Sequence, residues 1–197
     1  LALIDAQVEG AAGDDQVLVP RKALSEILRL EGDEALEFRR GEHHLAFRAG
    51  KRELVCRVLE GAFPDYERVI SRNNDRKAGC ERKALQESVQ RVALMTGDRN
   101  RGVRLEFAPG ELTIVAANPD LGDATETLAC DFSGAQLKIG LNPDYLGQFL
   151  SAVESDKVEL ELKDENSQCV GRPAAGAPEG KAEPAERYLC VIMPMRI

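Results

Sequence analysis

The sequence predicts an α+β fold in which a strand, a helix and a meander of strands recur. Such units build antiparallel sheets with the helices on one face. Three observations predict it. The hexapeptide RKALSE (Arg21–Glu26) returns as RKALQE (Arg82–Glu87), and the pattern LEF-x-x-GE begins at Leu36 and again at Leu105. The two matches keep their order, at offsets of 61 (Arg21 to Arg82) and 69 (Leu36 to Leu105). Chance recurrence of both explains this poorly, and an internal repeat explains it well. Finally, apolar and polar residues alternate along most of the runs after each helix, as in half-buried antiparallel strands.

The elements follow in order. Copy one reads QVLVP (16–20), a helix from Arg21, a turn at Glu31-Gly32-Asp33, then strands ALEFRR, HHLAFRAG and ELVCRVLE. Copy two reads AGCE, a helix from Arg82, a turn at Gly97-Asp98, then VRLEFA, ELTIVAAN and TETLACDF. A weaker copy three reads AQLKIGL, a helix DYLGQFLSAV, a turn at Ser155-Asp156, then KVELELK, QCVGR and RYLCVIMPM. Asn142-Pro143 starts its helix, an N-cap residue followed by a first-turn proline. Gly41 and Gly110 are the expected turn glycines between the LEF strand and the next.

Leu24, Ile27 and Leu28 are expected to face inward from the first helix, with Arg21, Ser25 and Arg29 opposite. In the second helix, Leu85, Ser88, Val89 and Val92 face in, and Arg82, Gln86 and Gln90 face out. One helix on one small sheet buries too little, so copies are expected to pair. Copies two and three are adjacent and form one such pair. Copy one has no partner, and the opening LALIDAQV reads as the middle of a strand. The expectation is a fragment whose missing copy lies N-terminal to Leu1. The expected organisation is residues 1–61 as half a domain, 62–76 as a Pro- and Asn-bearing linker, and 77–197 as a whole domain. The Ala-, Gly-, Pro- and Glu-rich stretch Gly171–Arg187 is expected as a mobile loop.

Chemistry is sparse. There is no Gly-rich phosphate loop and no metalloprotease or nucleophile-elbow motif, and the acidic residues are not paired near a histidine. His43 and His44, as strand neighbours, point to opposite faces and cannot share an ion. No metal or cofactor is called for, and an enzyme is disfavoured. The five cysteines form no CxxC and sit in or beside apolar runs, which suits reduced, buried thiols and a cytoplasmic protein. No run is long enough to span a membrane. The net charge of −8 is unevenly spread. Pro20–Leu30 carries Arg21, Lys22 and Arg29 against Glu26, whereas Arg104–Asp131 carries six acids against one arginine. A basic helix face and an acidic outer face suit a surface that tolerates phosphates without reading bases.

Several motifs, in order and in register, resemble one family. They are the ending Met193-Pro194-Met195-Arg196-Ile197, FPDYERV (Phe63–Val69), VPRKAL (Val19–Leu24), RGVRLEF (Arg101–Phe107) and AANP (Ala116–Pro119). Together they resemble the bacterial β sliding clamps, the processivity subunits of DNA polymerase III. The chain looks like the second half of the middle clamp domain plus the whole last domain. The resemblance implies the DNA clamp fold. It also implies a homodimeric ring, set around duplex DNA by a loader, that tethers polymerase and repair proteins through short linear motifs. The same repeat in a protein-interaction module that forms no ring is the alternative reading.

Residue by residue, the resemblance implies DNA-facing roles for Arg21 and Lys22, and weaker ones for Arg82 and Arg104. It implies an apolar peptide-binding pocket from Leu1, Pro64, Val69, Asn142, Tyr145, Val191, Met193, Pro194, Met195 and Arg196. For the ring interface it implies Arg91, Leu94 and Met95 with Asp120, Asp123 and Glu126. Leu121 and Gly122 interrupt that acidic run.

Overall fold

The computed structural model describes residues 1–6, 16–30, 35–97, 101–120, 122–174 and 187–196. The expected turns at 31–33 and at Asp98, most of the Gly171–Arg187 loop, and Leu121 lie outside them. Two compact units are present: Leu1–Val8 with Tyr66–Ile197, and Glu9–Asp65.

The larger unit holds nine strands and two helices among its described residues. They are β1 (Ala2–Asp5), β5 (Arg76–Glu81), α2 (Arg82–Ala93), β6 (Val103–Ala108), β7 (Glu111–Asn118), β8 (Gly122–Asp131), β9 (Leu137–Leu141), α3 (Pro143–Ala152), β10 (Lys157–Leu162), β11 (Cys169–Pro173) and β12 (Arg187–Ile192). The sheet order is β1-β12-β11-β10-β5-β8-β7-β6-β9. It contains the repeat: β5-α2-β6-β7-β8 and β9-α3-β10-β11-β12 are the same unit twice. Each copy lends its first strand to the other, β5 to β10 and β9 to β6. Neither copy is therefore a complete sheet alone, which is why copies two and three fold as one body.

Both helices bury one face into a single core. Leu85, Val89 and Val92 of α2 and Leu146, Phe149 and Leu150 of α3 meet Leu105, Ile114 and Leu160 of the strands. The inward face read for α2, Ser88 included, is the buried one. The two helices start differently. Asn142 accepts from the Asp144 amide (2.8 Å) and caps α3, as expected, whereas Glu81 caps α2 through the Ala84 amide (2.8 Å). The β6–β7 hairpin turns on Pro109-Gly110, with Gly110 at φ +82°, a conformation that favours glycine. After β12 the chain runs on, and the Met195 amide donates to the Gly140 carbonyl (2.8 Å) at the free edge of β9.

The smaller unit comprises α1 (Arg21–Leu30) on a three-stranded sheet of β2 (Leu36–Arg40), β3 (His44–Ala49) and β4 (Arg52–Arg57). Three expectations change here. QVLVP forms no strand. Leu18 accepts one backbone bond from Leu59 (3.1 Å), but no described strand lies in the role that the opposite copy plays for β5 and β9. The tight hairpin after β2 turns on Glu42 and His43 rather than on Gly41, whose amide donates to the His44 carbonyl (2.8 Å), and His43 lies outside the strand. Finally, the inward face of α1 is not the expected one. Ala23 is buried, while Leu24 and Leu28 are 48% and 65% exposed. Their repeat equivalents in α2, Leu85 and Val89, are at 0% and 1%. The sequence pattern is the same. The difference is that α2 shares its core with α3 and the paired copy, whereas α1 has no second helix among the described residues of its unit.

Candidate functional site

The alternation of the last strands creates an apolar surface on the sheet face away from the helices. Cys169, Cys190 and Ile192 belong to the helix-side core, so their strand neighbours Val170, Leu189 and Val191 point the other way. These three form a second buried cluster with Leu3 of β1 and Ile70 packed on it. Leu3 lies opposite Leu189, and Val170 opposite Val191. Leu1 exchanges both backbone hydrogen bonds with Val191 (3.0 and 2.7 Å). The segment after the 3-10 turn Tyr66–Arg68 is fastened over the same face. Gln168 donates to the Val69 carbonyl (3.0 Å), and Asn74 donates to the carbonyls of Glu161 (2.8 Å) and Gln168 (3.0 Å). A cavity of ≈ 550 Å³ beside Leu3, Tyr66, Ile70 and Arg172 adjoins the cluster.

This geometry gathers much of the expected peptide-binding set. Val191 lies in the buried cluster, Leu1 is bonded to it through the backbone, and Leu1, Val69 and Met193 are exposed. Through the Met195–Gly140 bond, Pro194, Met195 and Arg196 are carried to the edge strand that leads into Asn142 and the exposed Tyr145 of α3. The Asn142 carbonyl oxygen is already engaged in capping α3. Pro64 belongs to the smaller unit. Sequence reasoning missed Leu3, Ile70, Val170 and Leu189. The signal was the unbroken apolar run Tyr188–Ile192, which departs from alternation and means a strand covered on both faces.

The expected DNA-facing residues separate. Arg21 and Lys22 are exposed on the first turn of α1, and their side chains have no ion-pair partner among the described residues. Arg82 does not face out. Its guanidinium donates to the carbonyls of Ser155 (2.9 Å) and Leu150 (3.3 Å), the latter an otherwise unpaired carbonyl in the last turn of α3. It works as a fastener between the two helices. Arg104 sits on the sheet face opposite the helices, because its neighbours Val103 and Leu105 take the core side of β6. There it pairs with Glu106 (2.7 Å), which also meets Lys138 (3.0 Å).

At the end of α2 the expected interface charges are joined within the chain. Arg91 grips Glu126 of β8 with two hydrogen bonds (2.6 and 2.8 Å) and lies 3.6 Å from Glu87. These bonds, with one from Ser88, hold the Glu126 carboxyl down at about 2. Leu94 caps α2 while 77% exposed, and Met95 packs partly into the core. Asp120 and Asp123 are exposed beyond it. Among the described residues, no group of three or more His, Cys, Asp or Glu could hold a metal ion. No described helix is long and apolar enough to cross a membrane.

A model of the C-terminal domain of the DNA polymerase III beta subunit matches residues 67–178, and one of its central domain matches residues 1–65. The chain belongs to the DNA polymerase III beta subunit family. Among curated relatives, the beta sliding clamp of Pseudomonas putida is 34% identical over 184 residues, covering 92% of this chain and 48% of that one. The beta sliding clamp of Escherichia coli K12 is 31% identical over 201 residues, covering 100% and 52%. The chain thus spans about half the length of the curated relatives it matches. Solved clamps agree in fold. One from Pseudomonas aeruginosa, crystallised with ligand, superposes at TM-score 0.81 with 34% identity over 93% of this chain and 48% of that one. The sliding clamp of Bartonella birtlesii bound to griselimycin gives 0.85 with 31% identity over 100% and 52%. The central-domain match takes in β1, although that strand pairs with β12 in the larger unit.

Proposed function

We propose that this chain is the DNA-encircling and partner-docking part of a processivity clamp, a non-catalytic, cytoplasmic subunit that holds a replicative polymerase on duplex DNA. The observation that carries the reading is two strand–helix–meander copies sharing one sheet, with both helices on one face, in a chain matched by two successive clamp domains. In the full-length protein a further copy of the repeat covers Leu24 and Leu28, and two protomers close a ring.

Sliding needs contacts that are favourable but weak and blind to sequence. Arg21 and Lys22 suit this. They place positive charge at the positive end of α1, where no acidic residue in the first turn offsets it. That arrangement favours a passing phosphate over an internal partner. Arg82 and Arg104 drop out of the DNA-facing set. Since Arg91 and Glu126 satisfy each other, the ring contact falls mainly to Leu94 and Met95, with Asp120 and Asp123 as flanking charges. Polymerase, loader and repair proteins dock short apolar motifs on the surface running from Leu1 and Val191 to Met193 and Arg196, where deformable methionines accept varied side chains.

The test uses the full-length protein loaded on nicked circular DNA by its loader. A ring stays on circles and is lost when they are cut. Equal retention on cut and uncut DNA, or none on circles, overturns the proposal.

A further inference from the structure

On the same sheet face, a cleft of ≈ 410 Å³ opens between β9 and the chain after β12, lined by Arg104, Lys138, Gly140, Glu165, Met195 and Arg196. Glu106 lies between the first two, bonded to Arg104 at 2.7 Å and Lys138 at 3.0 Å, with its side chain only 18% exposed. Lys138 and Arg104 hold its carboxyl below the ordinary range, so it stays ionised and keeps both cations in place. One carboxylate cannot neutralise two cations. Arg196 adds a third and has no ion-pair partner among the described residues. Among the described residues, three cations therefore face two carboxylates, Glu106 and Glu165.

We propose that this cleft is a carboxylate-accepting subsite, which takes an acidic side chain flanking the apolar motif of a docked peptide. The inference rests on the peptide-docking reading above and adds the chemistry of what lies next to the motif. Met195 links the two: it belongs to the docking tail and also lines the cleft. A peptide crossing Met193 advances about 3.3 Å per residue and reaches the cations within a few residues. Arginine's planar fork suits a carboxylate, and Arg104 and Lys138 are already oriented by Glu106. Nucleic acid is the poorer occupant. Glu106 and Glu165 stand among its cations, and they repel a polyanion more than a single carboxylate.

Three fluorescent peptides sharing a Leu/Phe core test it on the full-length protein: one with Ser-Gly flanks, one with two aspartates before the core, one with two after. One acidic peptide is expected to bind about fivefold tighter than the neutral one, a gain that fades with salt. Lys138→Glu abolishes the gain and Lys138→Gln reduces it, while the Kd of the neutral peptide is unchanged. Equal binding of all three, or a gain that survives Lys138→Glu, overturns the subsite and leaves the docking surface standing. Binding by none of them overturns the docking surface and the subsite with it.

Discussion

Arg82 offers the clearest separation between what the repeat implies and what the packing imposes. Replacing it with methionine keeps most of the apolar stem and removes the guanidinium. Lost are a 2.9 Å bond to the Ser155 carbonyl and a longer 3.3 Å bond to the Leu150 carbonyl. Charge-assisted hydrogen bonds contribute about 1.5–3 kcal/mol when well made. The first bond is good but part-buried and the second is long, so together they contribute about 1.5 kcal/mol. A cation at the negative end of α3 adds about 0.5 kcal/mol. Arg82→Met should therefore destabilise the larger unit by about 2 kcal/mol, or about 6–10 °C in Tm. Arg82→Lys should recover the charge contribution but not the two-pronged geometry. Urea unfolding followed by circular dichroism measures this. If both variants unfold like the parent while the full-length clamp loses DNA affinity, Arg82 is a DNA contact and the fastener argument fails.

Three further outcomes are expected. Because Arg91 depresses the Glu126 carboxyl, that pair stabilises the fold above the unfolded carboxylate value of about 4.3 and stops doing so as pH falls toward about 2. Wild type and Arg91→Gln should converge in stability across that window, and a gap unchanged at pH 2 rejects the assignment. A methyl at Gly171 would meet the Phe149 ring at 2.8 Å, and that ring is 1% exposed and stacked on Tyr188. Gly171→Ala should cost about 1–3 kcal/mol, and Phe149→Leu should relieve part of it in the double variant, as thermal melts of the four proteins would show. Leu94→Asp, at 77% exposure, should leave the melting of this chain within about 0.5 kcal/mol of the parent yet weaken dimerisation of the full-length protein in sedimentation. Unaltered dimerisation would remove Leu94 from the ring contact.

Much of the fold was legible because its signals are local. The repeated hexapeptide, the LEF strands, Asn142-Pro143 and Gly110 each act through propensity or turn chemistry within a few residues. The inward face of α2 was legible for the same reason. The candidate site was legible only in part. Met193–Arg196 and Val191 stood out through resemblance, but Leu3, Ile70 and Val170 join them from three distant segments. Glu106 and Lys138 meet across β6 and β9, a pairing set by strand register that no single window contains.

By itself the sequence determined the unit of construction: one strand, one helix and a meander, written three times, with cations opening two of the helices. Hydrophobic spacing and backbone preference act within each copy, so they can be read without the rest of the chain. Only the tertiary structure decided what each copy does with identical residues. Arg21 and Arg82 begin the same hexapeptide, and Leu24 and Leu85 hold the same place in it. Arg82 is fastened to α3 and Leu85 is fully buried, because a second copy lies against them. Among the described residues of its own unit α1 has no such neighbour, so Arg21 and Leu24 stay exposed. Burial and pairing depend on what packs against a residue, and that depends on the whole fold.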